Sequence, residues 1–160
     1  MAPLRTLAPP AHTSILTWGL ARDTDLRRIR DDLLRFFTPA ESDDAQPETG
    51  DAQPETGDPA ELRTLAQTIG LVATELGGNA LRHGLPPVIV QLLRGDGCYV
   101  LDVCDAAPDR PPVPAADRRD VRAGGRGLLI ALSMAEQVCW YATEHAKHVW
   151  ATFPAPRTAG

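Results

Sequence analysis

Glu75 and Asn79 stand four residues apart in the stretch ELGGNALRHG at 75–84. A carboxylate can accept a proton and an amide oxygen can bind a cation, so the pair suits acid–base and metal chemistry if one helix face carries both. Leu62, Leu65, Ile69, Val72 and Leu76 draw such a face, because their three-then-four spacing makes one apolar stripe over 61–83. At ~100° per residue Asn79 projects ~20° from Val72 and Glu75 ~60° from it. Burying either group without partners costs roughly 1–3 kcal/mol, which points to a polar ligand or metal. His83 extends the same side. The helix alone leaves another account open, in which Glu75 pairs with an arginine such as Arg82 or Arg126 and Asn79 caps neighbouring backbone.

The ends of this helix are written in the chain. Asp58 is a capping side chain, Pro59 suits a first turn, and Glu61 places negative charge near the positive end of the dipole. Gly84, followed by Pro86 and Pro87, stops it.

Two further polar elements follow. A strand ends in Asp105-Ala106-Ala107-Pro108, and after a proline-rich loop Gly124-Gly125-Arg126-Gly127-Leu128 opens a helix. Taken singly, the first reads as a strand-ending turn and the second as a glycine-rich helix start. In this order and spacing, the three elements resemble the ATP-binding domain shared by GHKL ATPases, most closely the small bacterial serine/threonine kinases that act as anti-sigma factors. The resemblance covers roughly residues 11–153.

It implies a role for each element. Glu75 would act as base toward the attacking hydroxyl and Asn79 would hold Mg²⁺. A rise of ~1.5 Å per residue sets them ~6 Å apart, and Mg²⁺ takes oxygen ligands while keeping several waters. Asp105 would accept a hydrogen bond from the adenine amine, with Pro108 beside it. Gly125 and Gly127 would let backbone approach the phosphates at the helix start, with Leu128 behind them and Arg126 adding charge. His83 would border the same nucleotide site. Many relatives carry glycines after the Asp. This chain reads DAAPDRPP, similar to an Asp-x-x-Pro version common among small actinobacterial members.

The elements that must position these groups are read as follows. Residues 13–20 form a first strand. Residues 23–37 form a helix with Leu26, Ile29, Leu33 and Phe36 inward, whose arginines Arg27, Arg28 and Arg30 mix with Asp23, Asp25, Asp31 and Asp32 on a solvated face. Val88–Leu93 and Tyr99–Cys104 form a hairpin around Asp96-Gly97. Leu128, Leu129, Leu132 and Ala135 face the core, and Val138–Ala142 with Val149–Phe153 close the sheet. Residues 39–58 hold a tandem DAQPETG, at 44–50 and again at 51–57, and read as a flexible insert. Residues 106–124 read as a lid over ATP. The expected fold is an α/β (α+β) two-layer sandwich, a mixed and mainly antiparallel sheet with three helices on one face, the Bergerat-type ATP-binding fold, in a single domain over 1–160.

Composition narrows the class. The 160 residues carry a net charge of −5, which argues against a nucleic-acid footprint. No stretch is long and apolar enough to span a bilayer, the N-terminus lacks a signal-peptide core, and the cytoplasm is the expected location. Cys98, Cys104 and Cys139 lack metal spacing and read as reduced, buried small hydrophobes. His145 and His148 read as exposed turn residues lacking the third ligand of a metal site, and Lys147 as a solvated turn lysine.

The function implied by the resemblance is a protein kinase that uses Mg-ATP to phosphorylate a small STAS-type anti-anti-sigma antagonist and sequesters a sigma factor, with a homodimer left open. A histidine kinase would bring a helical hairpin with a phospho-acceptor His, and a gyrase-like or chaperone-like ATPase further domains. The competing reading is a non-catalytic partner-binding module on the same fold. Gly77 and Gly78 inside the critical helix, at roughly 1 kcal/mol each relative to Ala, keep it in play.

Overall fold

The computed structural model describes residues 4–38, 57–112 and 125–156. Most of the 39–58 insert and residues 113–124 of the expected lid lie outside them. The elements run β1 (Arg5–Thr6), β2 (Ala11–Leu20), α1 (Asp25–Phe37), α2 (Pro59–His83), β3 (Val88–Gly95), β4 (Cys98–Asp105), α3 (Gly125–Met134), β5 (Gln137–Ala142) and β6 (Lys147–Pro154). The strands form one sheet in the order β1-β5-β6-β4-β3-β2. Among the described residues, only the β1/β5 pairing is parallel. The helices cover one face, with α2 packed against both α1 and α3. The expected α+β sandwich is what forms.

Strand alternation sorts β4 between two environments. Tyr99, Leu101 and Val103 join the main core with Ile29, Leu33, Ile69 and Val72 of the helices, whereas Val100 packs on the far side with Cys139 and Trp150. Strand β3 turns into β4 through Asp96-Gly97, where Gly97 takes φ 68°, a left-handed value that glycine adopts without steric penalty. At α1 the chain turns first. Asp25 accepts backbone N–H bonds from Ala21 (2.8 Å) and Arg22 (3.0 Å), so the helix starts at Asp25 rather than Asp23, and these bonds hold the Asp25 carboxyl below its ordinary range.

Two helical faces differ from expectation. The stripe Leu26, Ile29, Leu33 continues four residues on to Phe37, which is buried and meets Tyr99 edge-on with ring centroids 5.1 Å apart. Phe36 lies at the margin, half-buried. In α3 the inward residues are Leu128 and Ala131, while Leu132 is 40% exposed. A run of consecutive apolar residues leaves the inward side of a helix undefined, and packing on α2 selects the side that carries small Ala131. Strand β1 was not expected. It is two exposed residues long and is placed by β5, not by its own pattern.

Glycines in α2 serve packing. A Cβ on Gly77 would stand 2.8 Å from Leu26 Cδ2 and 3.1 Å from Leu20 Cδ1, so the position lets α1 and β2 close on the helix. This accounts for a residue that otherwise weakens a helix by roughly 1 kcal/mol.

The far face of the sheet carries a polar cluster. Asp102 is buried, and His148 Nδ1 lies 2.9 Å from its Oδ2 and 3.2 Å from its Oδ1. The imidazole stacks on Tyr141 with centroids 4.5 Å apart and planes 3° from parallel. Asp102 first, then the Cys104 sulfur, raise the His148 pKa from 6.5 to about 10, against the opposing effect of burial. A histidine whose pKa rises on folding stabilises fully below its unfolded value and loses that contribution as pH climbs through the folded one. The advantage of wild type over His148→Gln in urea unfolding should therefore be largest below pH 6.5 and fade toward about 10; an advantage that grows over that interval would contradict the pairing.

Candidate nucleotide site

The long helix brings its two polar residues to different partners. Asn79 is half-buried, and its Oδ1 accepts a hydrogen bond from Arg82 Nη2 at 3.1 Å. Arg82 is one of the two arginines open to Glu75 in the sequence; it takes the amide one turn earlier instead. Glu75 turns toward α3. A Cβ on Gly127 would lie 2.7 Å from Glu75 Oε2, 3.2 Å from its Cβ and 3.3 Å from its carbonyl oxygen. The carboxylate thus lies against the first turn of α3, the positive end of that helix, where a side chain at position 127 would displace it.

Asp105 ends β4 and is 2% exposed. Its Oδ1 accepts the Ala107 N–H at 2.8 Å, and its Oδ2 lies 3.3 Å from Lys147 Nζ. Lys147 is equally enclosed, at 6% exposure, and donates to the Arg110 carbonyl at 2.7 Å. The expectation of a solvated turn lysine is overturned. Asp105 and Lys147 are cross-strand partners in the β4/β6 ladder, so the ammonium must lie beside the carboxylate. A signal for this was in the chain, because Lys147 shares its parity with the inward residues Val149, Ala151 and Phe153.

The end of α2 is fitted to the same carboxylate. Gly84 has φ −89°, so no left-handed cap calls for glycine there. Space does: a Cβ would stand 2.5 Å from Asp105 Cγ and 2.7 Å from the Ala80 carbonyl oxygen. Ala106 N–H donates to the Leu85 carbonyl at 2.8 Å, and Arg110 Nη1 to the His83 carbonyl at 3.3 Å. The turn carrying half-buried Pro108 is thereby tied to the helix end that follows Asn79.

The predicted site residues therefore fall into two linked groups, Glu75 with Gly127 and Asp105 with the 83–85 corner, joined along α2. Leu128 is buried behind the first turn of α3. Gly125 opens that helix, while the Arg126 side chain lies outside what is described. His83 contributes its backbone carbonyl, and its side chain is exposed. His145 is exposed beside Glu144, and His148 is committed to Asp102 on the far face. Among the described residues, no group of three or more His, Cys, Asp or Glu could hold a metal ion. None of their helices is long and apolar enough to cross a membrane.

This arrangement of helix, buried aspartate and glycine-led helix coincides with a sequence match. The family model for the histidine kinase-like ATPase domain matches residues 21–153. The chain belongs to that family. No curated protein matches it closely enough to add a more specific relationship. As a histidine kinase-like ATPase domain, the chain places all three of its motifs within the matched span, in the GHKL superfamily of ATP-binding proteins.

The expected Mg²⁺ ligand is a single amide oxygen, that of Asn79, already bonded to a guanidinium. An amide oxygen has two lone pairs, so Arg82 leaves one on Asn79 Oδ1 for an oxygen-seeking cation.

The Asp105–Lys147 pair sets a test of stability. Lys147→Met would leave a buried carboxylate without its cation and should cost roughly 3–5 kcal/mol in urea unfolding, part of which Asp105→Asn in the same chain should restore. A loss under about 1 kcal/mol, as for an exposed pair, would contradict the burial described.

Proposed function

We infer that the chain is a protein serine/threonine kinase of the anti-sigma type, transferring the γ-phosphate of ATP to a hydroxyl on a small anti-anti-sigma antagonist and sequestering a sigma factor. The observation that carries this reading is the Glu75 carboxylate lying against the first turn of α3, where Gly127 has no side chain to displace it. A carboxylate so placed lies where phosphates would meet the backbone N–H groups of a helix start. A pure nucleotide sensor has no use for a base at that point.

Each residue then has a defined task. Glu75 accepts the proton of the attacking Ser or Thr hydroxyl. Asn79 offers its Oδ1 to Mg²⁺, which supplies neutralising charge on the phosphates when bound. Asp105 accepts from the adenine amine with the lone pairs left by Ala107 and Lys147. Gly125 and Gly127 keep side chains out of the phosphate approach. Positioning and electrostatics supply most of the rate in phosphoryl transfer, and these groups do both.

One observation favours a second reading. Arg82 bonded to Asn79 Oδ1 is a cation already beside the metal-binding oxygen, as suits a module that binds a partner and holds nucleotide only as a structural ligand. Glu75→Gln separates the two. Under the kinase reading it should cut transfer to the antagonist by about a hundredfold or more, the scale of a lost general base, with ATP affinity within about threefold of wild type. Wild-type protein that binds ATP but transfers no phosphate, with Glu75→Gln changing stability alone, would establish the module instead.

A further inference from the structure

On the sheet face opposite the helices, Cys104, His148 and Asp102 form a relay that the nucleotide reading does not use. Cys104 Sγ lies 3.6 Å from His148 Nε2, and His148 Nδ1 lies 2.9 Å from Asp102 Oδ2. Cys104 and Asp102 are two residues apart on β4 and share its outer face, and His148 is the cross-strand partner of Cys104 on β6. The His148 and Asp102 side chains are 20% and 6% exposed, and Cys104 is half-buried. With Nδ1 held by the carboxylate, Nε2 is the nitrogen that faces the sulfur. Tyr141 from β5 stacks on the ring and prevents its rotation, and from β3 the opposing residue is uncharged Ile89.

We propose that Cys104 is a reactive thiol, a modification site that takes small electrophiles and low-molecular-weight disulfides. The order of nucleophile, imidazole and orienting carboxylate is that of activated cysteines. A cation beside the sulfur stabilises the negative charge on which attack depends. With a disulfide, the Cys104 sulfur forms a bond to one sulfur of the reagent and the reagent's S–S bond breaks. The other half leaves as a thiolate, which takes up the proton lost from Cys104. The products are a mixed disulfide and one free thiol.

The other cysteines serve as internal references. Cys98 is as accessible in class but lies at the hairpin end of β4 opposite Gly95 and Pro154. Cys139 is fully buried, and that burial pushes its thiol pKa up. The proposal is independent of nucleotide binding.

The test treats the folded full chain with oxidised glutathione, and separately with iodoacetamide, and reads each cysteine by peptide mass spectrometry over time. Cys104 should react about tenfold or more faster than Cys98, with Cys139 unmodified until the protein is unfolded. His148→Gln should bring Cys104 down to the Cys98 rate while the Cys98 rate stays put, and Asp102→Asn should do so in part. Cys98 reacting as fast as Cys104 in wild type, or a Cys104 rate unmoved by His148→Gln, would overturn the proposal. If both variants fail to fold, the wild-type ranking decides alone.

Discussion

The arrangement rests on a buried carboxylate. Asp105 is enclosed at the end of a central strand, and burial of an ion is tolerated only with partners in good geometry. It has two: the Ala107 N–H fixes the turn that follows and Lys147 ties the carboxylate to the next strand, while Gly84 carries no side chain so that α2 can end against it. Lys147 then reaches the Arg110 carbonyl, and Arg110 reaches His83. One charge thus fixes the relation of β4, β6, the Pro108 turn and the end of α2.

Along α2 the same economy of space recurs. Gly77 admits Leu26 and Leu20, Gly84 admits Asp105, and Gly127 across the helix contact admits Glu75. At each of these glycines a Cβ would press on a neighbour, most severely at Gly84, where it would meet backbone, and none has an unusual backbone angle. Helix propensity is lost, and close approach of core and polar site is gained. Gly77, one of the two helix glycines that keep a non-catalytic reading in play, is accounted for by core packing on Leu26 and Leu20.

Much of this was legible in the chain. The apolar stripe of α2, its Asp58–Pro59 start and the hairpin at Asp96-Gly97 follow from periodicity and turn chemistry, which are local, whereas Asp105 alone reads as a strand-ending turn and gains weight only from the resemblance of the three elements together. What was hidden depends on tertiary partners. Phe37 rather than Phe36, and Ala131 rather than Leu132, face inward because neighbouring helices choose between adjacent apolar residues. The charge of Lys147 suggests solvent, whereas its strand parity, shared with Val149, Ala151 and Phe153, points inward. The reason for Gly84 could not be found without Asp105 beside it, since glycine after a helix ordinarily signals a left-handed cap. The Cys104–His148–Asp102 relay joins residues more than forty positions apart through a strand register that local pattern does not supply.

In the proposed function, Asp105, held in place by Lys147, reads an adenine amine. Guanine carries a carbonyl oxygen where adenine carries that amine, and two acceptors facing each other repel. Calorimetric titration of the wild-type chain with ATP and with GTP, each with Mg²⁺, tests this directly. ATP should bind saturably and GTP more weakly by about tenfold or more, the scale of a mismatched buried hydrogen bond. Equal affinity for the two nucleotides, or no binding of either, would contradict it.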